Sequence, residues 1–297
     1  MLFKAIKNLF NKTEHAATDI KTAPLSEEQL KTVTKPIIAA KPLQITVGCG
    51  QSVGKQRDHN EDALFSMSTT ISYGEVETAF GFFAIADGMG GHQFGEIASG
   101  SAIRAISNHV ITKIFSPLLG YKSEEQFESL QEIVESGFSL AQKAVLDYAP
   151  GGGTTLTTAL VIGDQVTISH VGDSRIYFIY PDGRMEIMTH DHSYVRRLLD
   201  LGQITEEEAK NHPNKNVLYR ALGQNEPFRP DIRTTPFPTP GYLLICSDGL
   251  WGVISEGEIF KIVTNAANPV NACQELVDLA NLAGGPDNIS VVLVQNS

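Results

Sequence analysis

Three segments of this sequence are apolar at nearly every position: Phe80–Ala86 (FGFFAIA), Tyr242–Cys246 (YLLIC) and Ile289–Val294 (ISVVLV). Short apolar runs of this kind read as buried strands, and they commit the chain to a layered core. Around them, Thr155–Ile162, Gln165–His170 and Arg175–Tyr180 read as a meander, with turns at Gly163-Asp164 and Gly172-Asp173. Ile103, Ile106, Val110 and Ile114 recur at spacings of three and four, as do Phe127, Leu130, Val134, Phe138, Ala141 and Val145. Two long amphipathic helices follow from that period. Ser123 with Gln126 supplies a capping box for the second, and Ser255 with Glu258 opens another helix after Trp251. Strands in meanders with helices in blocks predict an α+β fold, its sheets carrying helices on their outer faces. The sequence has no internal repeat.

A chain of 297 residues, 42% hydrophobic and 19% charged, can bury a full core in one or two domains. No apolar run approaches the roughly 18 residues of a spanning helix, and MLFKAIKNLFNK has no secretory h-region. Cys49, Cys246 and Cys273 form no CxxC pair, which fits a reducing, cytoplasmic location and no structural zinc. The net charge is −11, yet residues 1–44 carry seven Lys against four acidic side chains. The remainder is therefore strongly acidic, which argues against nucleic acid and for cations wherever carboxylates converge. The chain divides here. Residues 1–44, with Pro24, Pro36 and Pro42, read as an extension and linker ahead of a folded domain at 45–297. Leu2, Phe3, Ile6, Leu9 and Phe10 share one helical face, so residues 2–10 could form a short amphipathic helix making weak contact with an anionic membrane surface or a partner.

The chemistry sits at strand ends. FGFFAIA runs into Asp87-Gly88, YLLICS runs into Asp248-Gly249, and Asp287 immediately precedes the last strand. Asp62 follows Glu61 in the polar run RDHNED. One Asp-Gly is ordinary turn chemistry. Three apolar strands each abutting an Asp imply carboxylates that face one another, and a hard divalent cation removes their repulsion. Gly151–Gly153 lacks a following GK[ST] and so is a tight turn before a strand, not a P-loop. Gly88, Gly90 and Gly91 do not have dinucleotide-site spacing. His190 and His192 could ligate metal but fit better as loop residues capping nearby backbone, Ser174, Ser193 and Ser247 show no nucleophile pattern, and Trp251 reads as core.

RDHNED (Arg57–Asp62), ADGMGGH (Ala86–His92), GGTTLTTALV (Gly152–Val161), VGDSRIY (Val171–Tyr177), SDGLWGVI (Ser247–Ile254) and GPDNISVVLV (Gly285–Val294) occur in this order. Together they resemble the bacterial branch of the metal-dependent, type-2C protein serine/threonine phosphatases, across about residues 46–295. Asp191–Gly223 resembles that branch's flap. The resemblance implies a four-layer α-β-β-α sandwich with a small flap segment and two Mn²⁺ or Mg²⁺ ions in a cleft. By position, Asp87 would bridge both metals and the Gly88 carbonyl would ligate one. Asp248 and Asp287 would hold the other. Asp62 joins the metal site, acting with Glu61 through coordinated waters. A third, weaker metal would use Asp173 and Asp248. Arg57 matches the phosphate-binding arginine, against a plain salt bridge to Asp58 or Glu61. Animal members carry DGHGG, whose histidine is a proposed general acid; here Met89 stands there, with His92 three residues on.

The implied activity is hydrolysis of phosphoserine and phosphothreonine in proteins by a water shared between two metals, reversing a Ser/Thr kinase in signalling. Oxygen-only ligation suits Mg²⁺ or Mn²⁺ better than zinc, and Arg57 offers a planar fork to two phosphoryl oxygens. The alternative is a catalytically silent phosphoprotein-binding module on the same fold, which has no need of every carboxylate.

Overall fold

A computed structural model describes residues 44–73, 76–90, 93–120, 128–224 and 229–296. The amphipathic stretch at 2–10, the Ser123–Gln126 box, Phe127 and His92 lie outside the described residues. The strands are β1 (Ile45–Ser52), β2 (Ala63–Tyr73), β3 (Val76–Ala86), β4 (Gly88–Met89), β5 (Gly153–Thr154) and β6 (Leu156–Ile162). They continue with β7 (Gln165–Val171), β8 (Arg175–Ile179), β9 (Met185–Ile187), β10 (Asp231–Pro236), β11 (Gly241–Cys246) and β12 (Ile289–Asn296). The main helices are α1 (Gln93–Val110, continued by a π-helical turn at Ile111–Phe115 and a short helical turn at Ser116–Leu118), α2 (Leu130–Tyr148), α3 (Tyr194–Asp200), α4 (Glu206–Lys210), α5 (Asp248–Trp251), α6 (Glu256–Asn265) and α7 (Pro269–Leu282).

Two antiparallel five-stranded sheets form, in the orders β1-β12-β11-β8-β9 and β10-β7-β6-β3-β2, with a short β4-β5 ladder beside them. The unbroken apolar run of β3 has a simple cause. Successive side chains of a strand point to opposite faces, and both faces of β3 are covered. Phe80, Phe82, Ala84 and Ala86 pack with Ile106, Val134, Phe138 and Val145 of α1 and α2. Phe83 and Ile85 face the other sheet, meeting Ile176, Phe178, Leu243, Ile245 and Val292. The outer face of that second sheet, with Tyr177, Leu244 and Val291, is covered by Ile259, Val263, Leu276 and Val277 of α6 and α7. Three parallel cores thus separate four layers, α-β-β-α.

Two sequence expectations are corrected. The third strand of the expected meander leaves its sheet: β6 and β7 pair with each other, whereas β8 pairs with β11 across the sandwich. The turn at Gly172-Asp173 is therefore a crossing between sheets, made possible by φ +114° at Gly172. The second long helix begins at Leu130, not Phe127, and Ser129 with Glu132 forms its capping box. The Ser255–Glu258 box opens α6 as expected.

Candidate metal centre

Every acidic strand end predicted from the sequence reaches one edge of the sandwich, and each is fixed by its backbone. The Asp87 N–H donates to Thr155 Oγ1 at 2.9 Å, while the Asp87 carbonyl accepts from the Thr155 N–H at 2.9 Å. Gly88 N–H donates to the Glu61 carbonyl at 3.1 Å. A Cβ on Gly88 would lie 2.3 Å from the Gly95 carbonyl and 2.4 Å from that of Glu61, so only glycine fits this crossing. The ladder of Gly88–Met89 with Gly153–Thr154 explains the glycine run at 151–153, where Gly151 takes φ +88°. That run is a tight turn, as expected.

Asp248 starts α5 directly after β11, brought there from the sheet opposite Asp87. Asp287 stands one residue before Asn288, the side chain that ties the RDHNED loop down. Asn288 Oδ1 accepts from the Glu61 N–H at 2.8 Å, and its Nδ2 donates to the carbonyls of Val53 and His59 at 2.8 and 2.9 Å. Arg57 reaches over the edge and donates to Asp287 Oδ2 at 2.7 Å. Its ion partner is thus Asp287, neither Asp58 nor Glu61, and the side chain remains 48% exposed.

These groups line one cavity of about 380 Å³: Arg57, Glu61, Asp87, Gly88, Asp173, Asp248 and Asp287, with Met89, Thr155 and Asn288. Asn216 and Leu218 of the 190–223 segment complete its wall. Asp62 sits behind the wall, 8% exposed, accepting from Ser247 Oγ at 2.9 Å. Thr155, Ser247 and Asn288 are the contributors that sequence reasoning missed.

Carboxylates so placed resist ionisation. Burial, then repulsion from Asp248, pushes Asp62 up to about 7 against hydrogen bonds from Ser290 and Ser247 that favour its charge. Burial and Asp287 raise Asp248 to about 6. Asp87, half-buried beside Asp62 and Asp248, and Asp173, buried near Asp248, are pushed well above the usual range by desolvation and by those neighbouring carboxylates. Asp62 Oδ1 and Asp248 Oδ1 are buried with no hydrogen-bond partner. Unpaired buried carboxylate oxygens are costly, and a divalent cation answers both the missing partner and the repulsion. Among the described residues no group of three or more His, Cys, Asp or Glu is placed to hold a metal ion by side chains alone. The donors instead ring a shared cavity, which suits a hard cation that keeps several waters.

The rejected candidates have structural duties. His190 pairs with Asp200 at 2.8 Å, and His192 Nδ1 accepts from the Gly172 N–H at 3.0 Å. Ser174 bonds Thr155, Ser193 caps α3, and Ser247 holds Asp62. Trp251 packs against the outer core and also donates to the Asp173 carbonyl at 3.1 Å.

Comparison with known proteins bears on the fold and the family. The family model for protein phosphatase 2C matches residues 49–282. A serine/threonine phosphatase stp from Listeria innocua is 37% identical over 253 residues, covering 82% of this chain and 93% of the relative. The solved serine/threonine phosphatase of S. agalactiae superposes with TM-score 0.72 at 30% identity, covering 86% of this chain and 100% of that one. The catalytic domain of the phosphatase PstP, solved in complex with two manganese ions, gives TM-score 0.69 at 28% identity over 86% and 99% of the two chains. A four-layer sandwich with its acidic strand ends gathered at one cavity, matched over four-fifths of its length, places this chain in the protein phosphatase 2C family.

Proposed function

We propose that this phosphatase removes phosphate from phosphoserine and phosphothreonine side chains of proteins, in the cytoplasm, opposite a Ser/Thr kinase. The observation that carries the reading is the pair of partnerless carboxylate oxygens on Asp62 and Asp248 beside a cavity rimmed by Arg57. Asp87, the Gly88 carbonyl, Asp248 and Asp287 would hold two Mn²⁺ or Mg²⁺ ions, with Asp62 and Glu61 acting through water. Asp173 and Asp248 would hold a third, weaker ion. When bound, these ions supply charge neutralisation for the phosphoryl group and a water acidic enough to attack phosphorus near neutral pH. Residues 1–44 lie outside the phosphatase domain at 45–297, and residues 2–10 supply a weak membrane-surface or partner contact. Among the described residues no helix is long and apolar enough to cross a membrane.

The chain's own groups divide the remaining work. Arg57 binds the phosphoryl oxygens with a guanidinium that stays charged at any working pH. Thr155 and Asn288 fix the carboxylate-bearing turns, so little reorganisation is needed when substrate arrives. Met89, on the cavity wall, has a thioether and cannot donate a proton, so protonation of the leaving alkoxide falls to water or to a more distant group.

The direct test is hydrolysis of p-nitrophenyl phosphate and of a phosphothreonine peptide. Mn²⁺ is expected to stimulate both and EDTA to abolish both. Phosphopeptide binding without turnover at saturating Mn²⁺ would favour the silent binding module instead.

Arg57→Ala is expected to raise KM for phosphopeptides by about 10- to 100-fold, the worth of a charge-assisted hydrogen bond. Because it also releases Asp287 from its ion pair, Mn²⁺ affinity should stay level or rise. Arg57→Lys should recover only part of the loss, since a point charge lacks the fork. Equal kcat/KM for Lys and Arg would remove the phosphate-binding role.

A further inference from the structure

Asp173 is gripped from two sides by residues that are neither carboxylates of the cavity nor its arginine. The chain crosses between sheets at Gly172, where a Cβ would lie 2.5 Å from Thr155. His192 closes two hydrogen bonds on that glycine. Its backbone N–H donates to the Gly172 carbonyl at 2.7 Å, and its Nδ1 accepts the Gly172 N–H at 3.0 Å. Its Nε2 lies 3.1 Å from both Asp231 Oδ2 and Arg220 Nη1. With Nδ1 accepting, the ring proton sits on Nε2, where Asp231 is the group able to accept it. The ring is 1% exposed and stacked 4.9 Å from His170. Burial, with the Arg220 guanidinium near it, holds His192 below the usual imidazole range.

Trp251 works from the other side. Its indole N–H donates to the Asp173 carbonyl at 3.1 Å. The ring is fixed in turn by the Arg175 guanidinium 3.7 Å above it, which Asp191 holds through Nε and Nη2 at 3.0 and 2.6 Å. Between the two grips the Asp173 carboxylate, 7% exposed, meets the cavity. His192 also accepts from the Tyr219 N–H at 2.9 Å, and Ser193 bridges Leu218. The same residue therefore joins the Asp173 turn to the segment that supplies Asn216 and Leu218 to the cavity wall.

We propose that His192 and Trp251 are positioning residues that clamp the Gly172–Asp173 turn, setting the Asp173 carboxylate for the third, weakly held divalent cation. The inference rests on the reading of Asp173 given under the proposed function. A weakly held ion with few protein ligands depends strongly on how well those ligands are pre-aligned. Loss of a supporting partner behind a metal ligand typically lowers affinity about 10- to 100-fold.

The experiment is a Mn²⁺ titration of the full chain, with free Mn²⁺ followed by its electron paramagnetic resonance signal, for wild type, Asp173→Asn, His192→Leu, His192→Asn and Trp251→Phe. Asp173→Asn should abolish the weakest class of site; if it leaves the isotherm unchanged, the reading of Asp173 fails and the clamp with it. Given that control, His192→Leu should weaken that class about 10-fold or more and leave the tighter classes in place. His192→Asn, whose amide oxygen can still accept the Gly172 N–H, should restore most of the affinity. Trp251→Phe keeps a ring under Arg175 but loses the donor, and should weaken the same class several-fold. If His192→Leu does not fold, the Asn and Phe variants decide the matter. The clamp is overturned if Trp251→Phe binds like wild type, if Asn fails where Leu fails, or if all classes of site weaken together.

Discussion

Asp87→Asn is expected to lower turnover by about three orders of magnitude or more while leaving the metal-free protein at least as stable as wild type. The activity loss follows from removing the carboxylate that would balance charge on two cations, worth several kcal/mol in the transition state at about 1.4 kcal/mol per tenfold. The stability result follows from the cavity itself. Burial and the charges of Asp62 and Asp248 hold the Asp87 carboxyl far above its ordinary range, so its charged form opposes folding. A neutral amide removes that opposition. Asp248→Asn should behave alike, since burial and Asp287 raise its carboxyl to about 6. Thermal melts in EDTA and in Mn²⁺ make the check. Each variant should match or exceed wild type in EDTA and lose most of the Mn²⁺-dependent rise. Near-wild-type turnover at saturating Mn²⁺ would sink the assignment of these two residues.

The second large effect is a pH dependence whose sign is opposite to that of a protein stabilised by ion-paired carboxylates. Asp62 and Asp248 have folded-state pKa values of about 7 and about 6, above the ordinary 3.8. Between those limits the folded state binds more protons than the unfolded chain, so stability falls as pH rises. Their contribution is fully present below about pH 4 and lost as pH rises through about 6 and about 7. Asp87 and Asp173, also held well above the ordinary carboxylate range, act in the same direction. Cations compete with those same protons, so Mn²⁺ binding should strengthen over this interval. In EDTA the melting temperature is expected to be several degrees higher at pH 5.5 than at pH 8. Mn²⁺ should add little at pH 5.5 and much at pH 8. An equal Mn²⁺ effect at both would show that the carboxylates are not protonated without metal.

What the sequence disclosed, and what it withheld, divides by the range of the interactions involved. The β3 run was legible because both of its faces are covered, so seven successive apolar residues left no doubt about burial. The Asp-Gly steps were legible because strand ends carry their own turn chemistry. The strand Ala63–Tyr73 went unread: it lies at a sheet edge, and its polar ALFSMSTTISY resembles a loop as much as a strand. The path of Arg175–Ile179 was misread because antiparallel pairing with the preceding strand is the local default, and only the partner β11, far along the chain, draws it across. Asn288 and Ser247 were invisible for the same reason. Their duty lies in contacts with Val53, His59 and Asp62, roughly two hundred residues away. The motifs marked where the carboxylates are; the side chains that hold them there have no local signature.

The two sheets contribute separately to the cavity: Asp87 leaves the end of β3, while Asp248 and Asp287 flank β11 and β12 of the opposite sheet. Any ion shared among them would therefore be a rivet through the sandwich, and the spacing it meets is dictated by the layer between. Phe83, Ile85, Ile176, Ile245 and Val292 fill that layer, and together they act as a gauge block. Trimming one of them, far from any donor atom, would let the sheets settle closer and alter the distance between carboxylates. Ion affinity at such a site would in that sense be a property of hydrophobic thickness, readable at the rim but set in the middle.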